Sequence, residues 1–144
     1  MPFQLPDPSS EFGQRVARRL REEIVIWLTT VDLKGTPQPA PVWFLWDDAT
    51  GTILIYSRND AKRLAHIQQN PRVSLHFNST DDGDDVIVIT GTAEINASGP
   101  LADQVPAYVA KYGRRAADLF SRPEDFVSLY SVPLRIHPTA IRGF

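Results

Sequence analysis

The sequence predicts a mainly-β domain, a six-stranded antiparallel barrel with flanking helices, on three observations. Six runs rich in β-branched and aromatic residues recur along the chain, most of them joined by hairpin-length turns. The first run, Ile24 to Val31, is apolar at successive positions, as in a strand covered on both faces, which favours a small barrel over an open sheet. The run from Pro37 to Trp46 carries prolines at 37, 39 and 41. Residues two apart in a strand turn their N–H groups toward the same neighbour, so three donors are missing from one side, and only an edge strand tolerates that. The sheet is therefore expected to be split at this strand, with the indoles of Trp43 and Trp46 beside the gap.

The elements follow in order. Three prolines in residues 1–8 make an extended lead-in. Ser9 and Ser10 precede a helix in which Phe12, Val16 and Leu20 share a stripe, while Arg15, Arg18, Arg19 and Arg21 form a basic outer side. After the first strand, Lys34-Gly35-Thr36 turns into the proline-rich strand, and Asp47 to Gly51 is a hairpin connection to Thr52–Ser57. Asn59 and Asp60 are good N-caps for a helix over 60–69, which ends at Asn70-Pro71. Val73, Leu75 and Phe77 alternate with polar residues as a half-buried strand. Asp81 to Asp85 is expected to be a hairpin tip rather than a calcium loop, because Thr92 stands where an EF-hand needs glutamate.

Val86 to Ala97 is a long strand in which Gly91 marks a bulge or close approach. A helical region from Pro100 to Tyr112 is expected to kink at Pro106, and Arg114 to Phe120 reads as a second short helix. Pro123 to Ser128 reads as a connector, Tyr130 to Ile136 as the last strand, and Pro138 to Phe144 as a tail. The whole, residues 1–144, is expected to be one domain.

Composition narrows the chemistry. An apolar share of 42% and a net charge of −2 are those of an ordinary globular protein without general affinity for nucleic acid or membrane. There is no cysteine, which removes disulfides, thiol nucleophiles and cysteine metal sites and fits a cytoplasmic location. No stretch approaches the roughly 20 apolar residues of a membrane span, and the N-terminus lacks the pattern of a signal peptide. His66, His76 and His137 are scattered and form no local metal-ligand pair. No phosphate loop, dinucleotide fingerprint, nucleophile elbow or zinc motif is present. What remains is a binding module, or an enzyme whose cofactor carries the reactive group.

The stretch with most chemical content is Tyr56 to Pro71. Lys62 and Arg63 fall in the first helical turn, where the macrodipole disfavours cations by a few tenths to about 1 kcal/mol. Unpaired N–H groups there already attract anions, so two cations beside them would make a seat for a phosphate or carboxylate. The same residues also read as solvated surface cations, and taken alone they leave both readings open.

Taken together, the Pro-Val-Trp-Phe strand, the hairpin, Tyr-Ser-Arg, the basic pair and a helix ending Asn-Pro-Arg-Val resemble the pyridoxamine 5′-phosphate oxidase-like split β-barrels. The chain is more narrowly similar to their branch of oxidoreductases using the deazaflavin F420 or FMN. The resemblance covers Phe12 to Phe144. It implies that Lys62 and Arg63 grip a cofactor phosphate, that Tyr56, Ser57 and Arg58 face it, and that Pro41, Val42 and Trp43 lie along the ring system. It implies F420 as cofactor, with FMN as the alternative, in a site shared by two subunits of a homodimer. It implies no catalytic side chain, since the ring carries its own hydride, and no metal. Arg15, Arg18, Arg19 and Arg21 would suit the long acidic tail of the deazaflavin. The function expected is hydride transfer to a small conjugated or quinone-like substrate; the alternative is a non-enzymatic flavin, deazaflavin or haem binder.

Overall fold

The computed structural model describes residues 2–144 and contains one antiparallel sheet of seven strands, not six. The elements are α1 (Glu11–Glu22), β1 (Val25–Val31), β2 (Pro37–Trp43), β3 (Leu45–Asp47), β4 (Thr52–Ser57), α2 (Arg63–Gln69), β5 (Arg72–His76), β6 (Ile87–Ile95), α3 (Pro106–Leu119), α4 (Pro123–Leu129) and β7 (Val132–Gly143). The strand order is β2-β1-β5-β6-β7-β4-β3. The extra strand comes from the proline-rich run, which breaks at Phe44. Its first part pairs with β1 and its second with β4, near opposite ends of the order. The two edges of the sheet are thus consecutive in sequence, and the sheet curls into a barrel split at a single residue. The prolines do lie on an edge strand, paired on one side only.

Phe44 has no strand neighbour, so its backbone groups need partners from elsewhere. Helix α3 supplies them. The Tyr112 hydroxyl accepts from Phe44 N–H at 2.9 Å, and its own proton is shared between the carbonyls of Phe44 at 2.7 Å and Ile24 at 2.8 Å. Lys111 Nζ donates to the Phe44 carbonyl at 2.9 Å and lies 3.8 Å from the centre of the Phe44 ring.

The interior of the barrel is filled by alternate residues of the strands, among them Ile26, Leu28, Ile53, Ile55, Leu75 and Ile136. Val16 and Leu20 of α1 and Ile67 of α2 join this core. A second cluster sits outside the barrel, where Leu54 and Tyr56 of β4 pack against Tyr108, Tyr112 and Phe126 of α3 and α4. It is therefore β4 that is buried on both faces. In β1 one face is buried and the other is half exposed, contrary to the expectation from its unbroken apolar run.

Other elements differ from the sequence reading for identifiable reasons. Pro106 opens α3 instead of kinking a longer helix, because the first helical position needs no N–H. From there α3 runs unbroken to Leu119. Pro123 likewise opens α4, where a connector was expected. The tail from Pro138 continues β7 past a bulge at Thr90/Gly91, and the proline sits opposite Gly91 where the ladder is already interrupted. Arg15 and Arg19 are not on a free basic face. Both meet Asp85 of the β5–β6 connection, at 2.7 and 3.1 Å, and Arg19 also donates to the carbonyls of Asn78 and Asp85. Only Arg18 and Arg21 of the four are exposed. No helix of the described residues is long and apolar enough to cross a membrane.

Candidate functional site

Above the split, between the end of β2, the end of β4 and helices α3 and α4, lies a cleft of about 340 Å³. That is within the range of small-ligand sites, at its lower end. Six of the eight residues implicated by the sequence line it: Pro41, Val42, Trp43, Tyr56, Arg58 and Arg63. Closure of the barrel brings them together: β2 is one edge of the sheet order and β4 lies next to the other edge, and the two strands meet across the split.

The basic pair divides. Arg63 is half buried, and among the described residues its only side-chain hydrogen bond is a long one, 3.4 Å, from Nη1 to Ser57 Oγ. It forms no ion pair with a carboxylate among the described residues, and no acidic residue lines the cleft. Burial pulls its pKa below the ordinary arginine value, with Tyr130 opposing, yet a guanidinium stays charged at any working pH. A half-buried cation without a counter-ion is costly unless something anionic joins it. Lys62 is exposed and lies outside the aromatic cleft. It borders a second, more open concavity of about 360 Å³ that it shares with Arg63, His66, Thr30 and Asp32.

Helix α2 starts at Arg63, with Lys62 at the cap position and no side-chain cap. Asn59 and Asp60 do not cap it. Asn59 is tied to the carbonyls of Leu129 and Ser128, and Asp60 pairs with Arg58 through two hydrogen bonds of 2.9 and 3.0 Å. Arg58 is therefore already neutralised by a neighbour. Ser57 is fully buried, donating to the Arg58 carbonyl and accepting from Arg63, and it lines neither concavity. Tyr56 offers the cleft its ring, because its hydroxyl donates to the Pro100 carbonyl at 2.7 Å. Burial pushes that phenol up to about 12. Trp43 stands at the cleft, stacked on Tyr112 with ring centres 4.7 Å apart and planes 7° from parallel. Trp46 is elsewhere, donating to Asp48 on the far side of Phe44.

The opposite wall was not found from the sequence. Tyr108, Phe120, Phe126 and Tyr130 complete an aromatic enclosure, with Phe126 and Tyr130 stacked at 4.9 Å. Their helical spacing reads as ordinary core, and the available signal was density: five aromatics between positions 108 and 130 of a 144-residue chain. Exposed apolar side chains, Leu119 at 69% and Val25 at 38%, stand at the rim. The three histidines lie outside the cleft: His66 bonds Thr30, His76 stacks on Trp27, and His137 meets Glu94.

Residues 12–142 match the family model described as pyridoxamine 5′-phosphate oxidase. A pyridoxine/pyridoxamine 5′-phosphate oxidase from Aliivibrio salmonicida is 29% identical over 111 residues, 71% of this chain. The match takes in 52% of that relative, so the chain spans about half the length of the curated relative it matches. Among solved structures, an F420 reductase is similar at a TM-score of 0.65 and 23% identity, covering 87% of this chain and 94% of the other. The haem storage protein HutZ from Vibrio cholerae is similar at 0.64 and 12% identity, covering 93% and 95%. At these identities the structural likeness speaks to the fold.

Proposed function

We propose that this chain, which belongs to the pyridoxamine 5′-phosphate oxidase family, binds a flavin-like cofactor in the cleft above its split and acts as a cytoplasmic oxidoreductase on a small conjugated or quinone-like substrate. The observation that carries this reading is Arg63, a half-buried cation without a carboxylate partner at one end of an aromatic cleft. The residues fit a phosphate-bearing planar ring. Arg63 suits the phosphate, and the aromatic side chains of Trp43, Phe126 and Tyr130 wall the space for the ring. F420 is the first candidate and FMN the second. Either would supply the hydride-carrying ring, and the protein would supply orientation, an anion anchor and a site shielded from water. No side chain is assigned a catalytic role.

The exposed Leu119 and Val25 at the rim support closure of the cleft by a second copy of the chain. The site is accordingly proposed to lie between two protomers of a homodimer. The rival reading is a cofactor binder without turnover. Among the described residues lining the cleft, tyrosine is the one side chain of the usual haem axial ligands, whereas Arg63 and the aromatic walls suit a phosphate-bearing ring, which favours the flavin reading.

The test is to titrate the protein with FMN and with F420 by fluorescence, then assay oxidation of the reduced cofactor by menadione. Saturable binding with turnover is expected. Binding without turnover to any quinone or enone would select the binder, and no binding of either cofactor would end the proposal.

A further inference from the structure

Tyr108 is 3% exposed, held edge-on by Tyr56 at 4.9 Å and tilted against Tyr112 at 4.8 Å. The hydroxyls of those two neighbours are satisfied by backbone carbonyls. That of Tyr108 makes no hydrogen bond to any described residue. Yet among the described residues no enclosed side-chain polar atom is left without a partner. The Tyr108 oxygen is therefore not sealed in, and the residue lines the cleft. A phenylalanine would fill the same space with no polar atom to satisfy.

We propose that the Tyr108 hydroxyl donates a hydrogen bond to a ring carbonyl oxygen of the ligand in this cleft, so that the site selects planar conjugated carbonyl compounds over hydrocarbons of the same shape. This rests on the reading of the cleft as a site for a flavin-like ring and its acceptor. The direction of the bond follows from the surroundings. Of the other polar side chains at the cleft, Arg58, Arg63 and the Trp43 indole only donate, the Tyr56 hydroxyl is spent on Pro100, the Tyr130 hydroxyl can donate or accept, and no carboxylate among the described residues lines it. Burial raises the Tyr108 phenol above the ordinary tyrosine range, which keeps the proton on the oxygen. A ligand suited to these walls carries acceptors at both ends, an anion toward Arg63 and a neutral carbonyl toward Tyr108.

The experiment compares the wild type with Tyr108→Phe, titrating menadione, its carbonyl-free counterpart 2-methylnaphthalene, and FMN. The variant is expected to bind a carbonyl probe about fivefold to tenfold more weakly, and 2-methylnaphthalene equally well. A loss confined to menadione places the carbonyl on the acceptor, and a loss confined to FMN places it on the cofactor ring; either supports the proposal. Unchanged affinity for both, or an equal loss for 2-methylnaphthalene, overturns it. If the wild type binds menadione but neither FMN nor F420, the cofactor reading fails while the menadione comparison still decides Tyr108. Wild type that binds none of these probes overturns both.

Discussion

Two tyrosines one helical turn apart, Tyr108 and Tyr112, show how much a single hydroxyl can differ in role. The Tyr112 oxygen serves three backbone groups at the barrel's split. Tyr112→Phe leaves the Phe44 N–H without a partner, while its carbonyl keeps Lys111, and should cost about 1–3 kcal/mol in a urea unfolding experiment. Tyr108→Phe removes a hydroxyl with no protein partner and should leave the unfolding midpoint nearly unchanged. A variant pair with equal effects would contradict this division. Similar reasoning separates the basic pair: Arg63→Ala should weaken FMN or F420 binding tenfold or more, and Lys62→Ala much less, because only Arg63 lines the aromatic cleft. Arg63 was legible in the sequence because a cation is out of place at the start of a helix. Tyr108, Phe126 and Tyr130 were not, because an aromatic residue at helical spacing looks the same whether it faces a core or a cleft.

At the level of elements, the β2–β3 break is the feature from which the site follows. Prolines at alternate positions disclosed the open edge, but nothing local told that the run would change partners at Phe44. That depends on Lys111 and Tyr112, some 68 residues away, as their bonds to Phe44 show. Lys111 gives this clamp a pH signature. Burial pulls its ammonium from the usual 10.5 down to about 8. Between those values the unfolded chain holds the extra proton, so this residue's contribution to stability rises with pH across the window and is lost as pH falls below about 8. Unfolding of the wild type and Lys111→Met at pH 7.5 and pH 10 should show the wild type gaining relative to the variant at the higher pH. A difference that does not change with pH would mean the ammonium is not desolvated by its surroundings. Gly91 is a second element-scale feature. Its bulge was expected from the glycine, and a Cβ there would collide with the backbone carbonyl of His137. Gly91→Ala should therefore destabilise by about 1–3 kcal/mol, since neither strand can move aside freely.

For the whole molecule, fold class was legible because alternation, turn residues and edge prolines all point to the same closed antiparallel sheet. The aromatic wall was not, since it is assembled from helices distant in sequence from the strands they cover. The proposed dimer belongs to this scale. Sedimentation velocity should show a dimer, and Leu119→Glu, which places a charge on the exposed rim, should shift it toward monomer and weaken FMN binding together. A wild type that binds FMN as a monomer would remove the second protomer from the site. The claim on which the account rests is that Arg63 holds the anionic group of a ring ligand. The most direct measurement is the affinity of wild type and Arg63→Ala for FMN and for riboflavin, and for F420 and the same deazaflavin without its phosphate. The wild type is expected to prefer the phosphorylated form of at least one pair by about tenfold or more, and Arg63→Ala to abolish the preference. An equal preference in wild type and variant would place the anion seat elsewhere on the molecule.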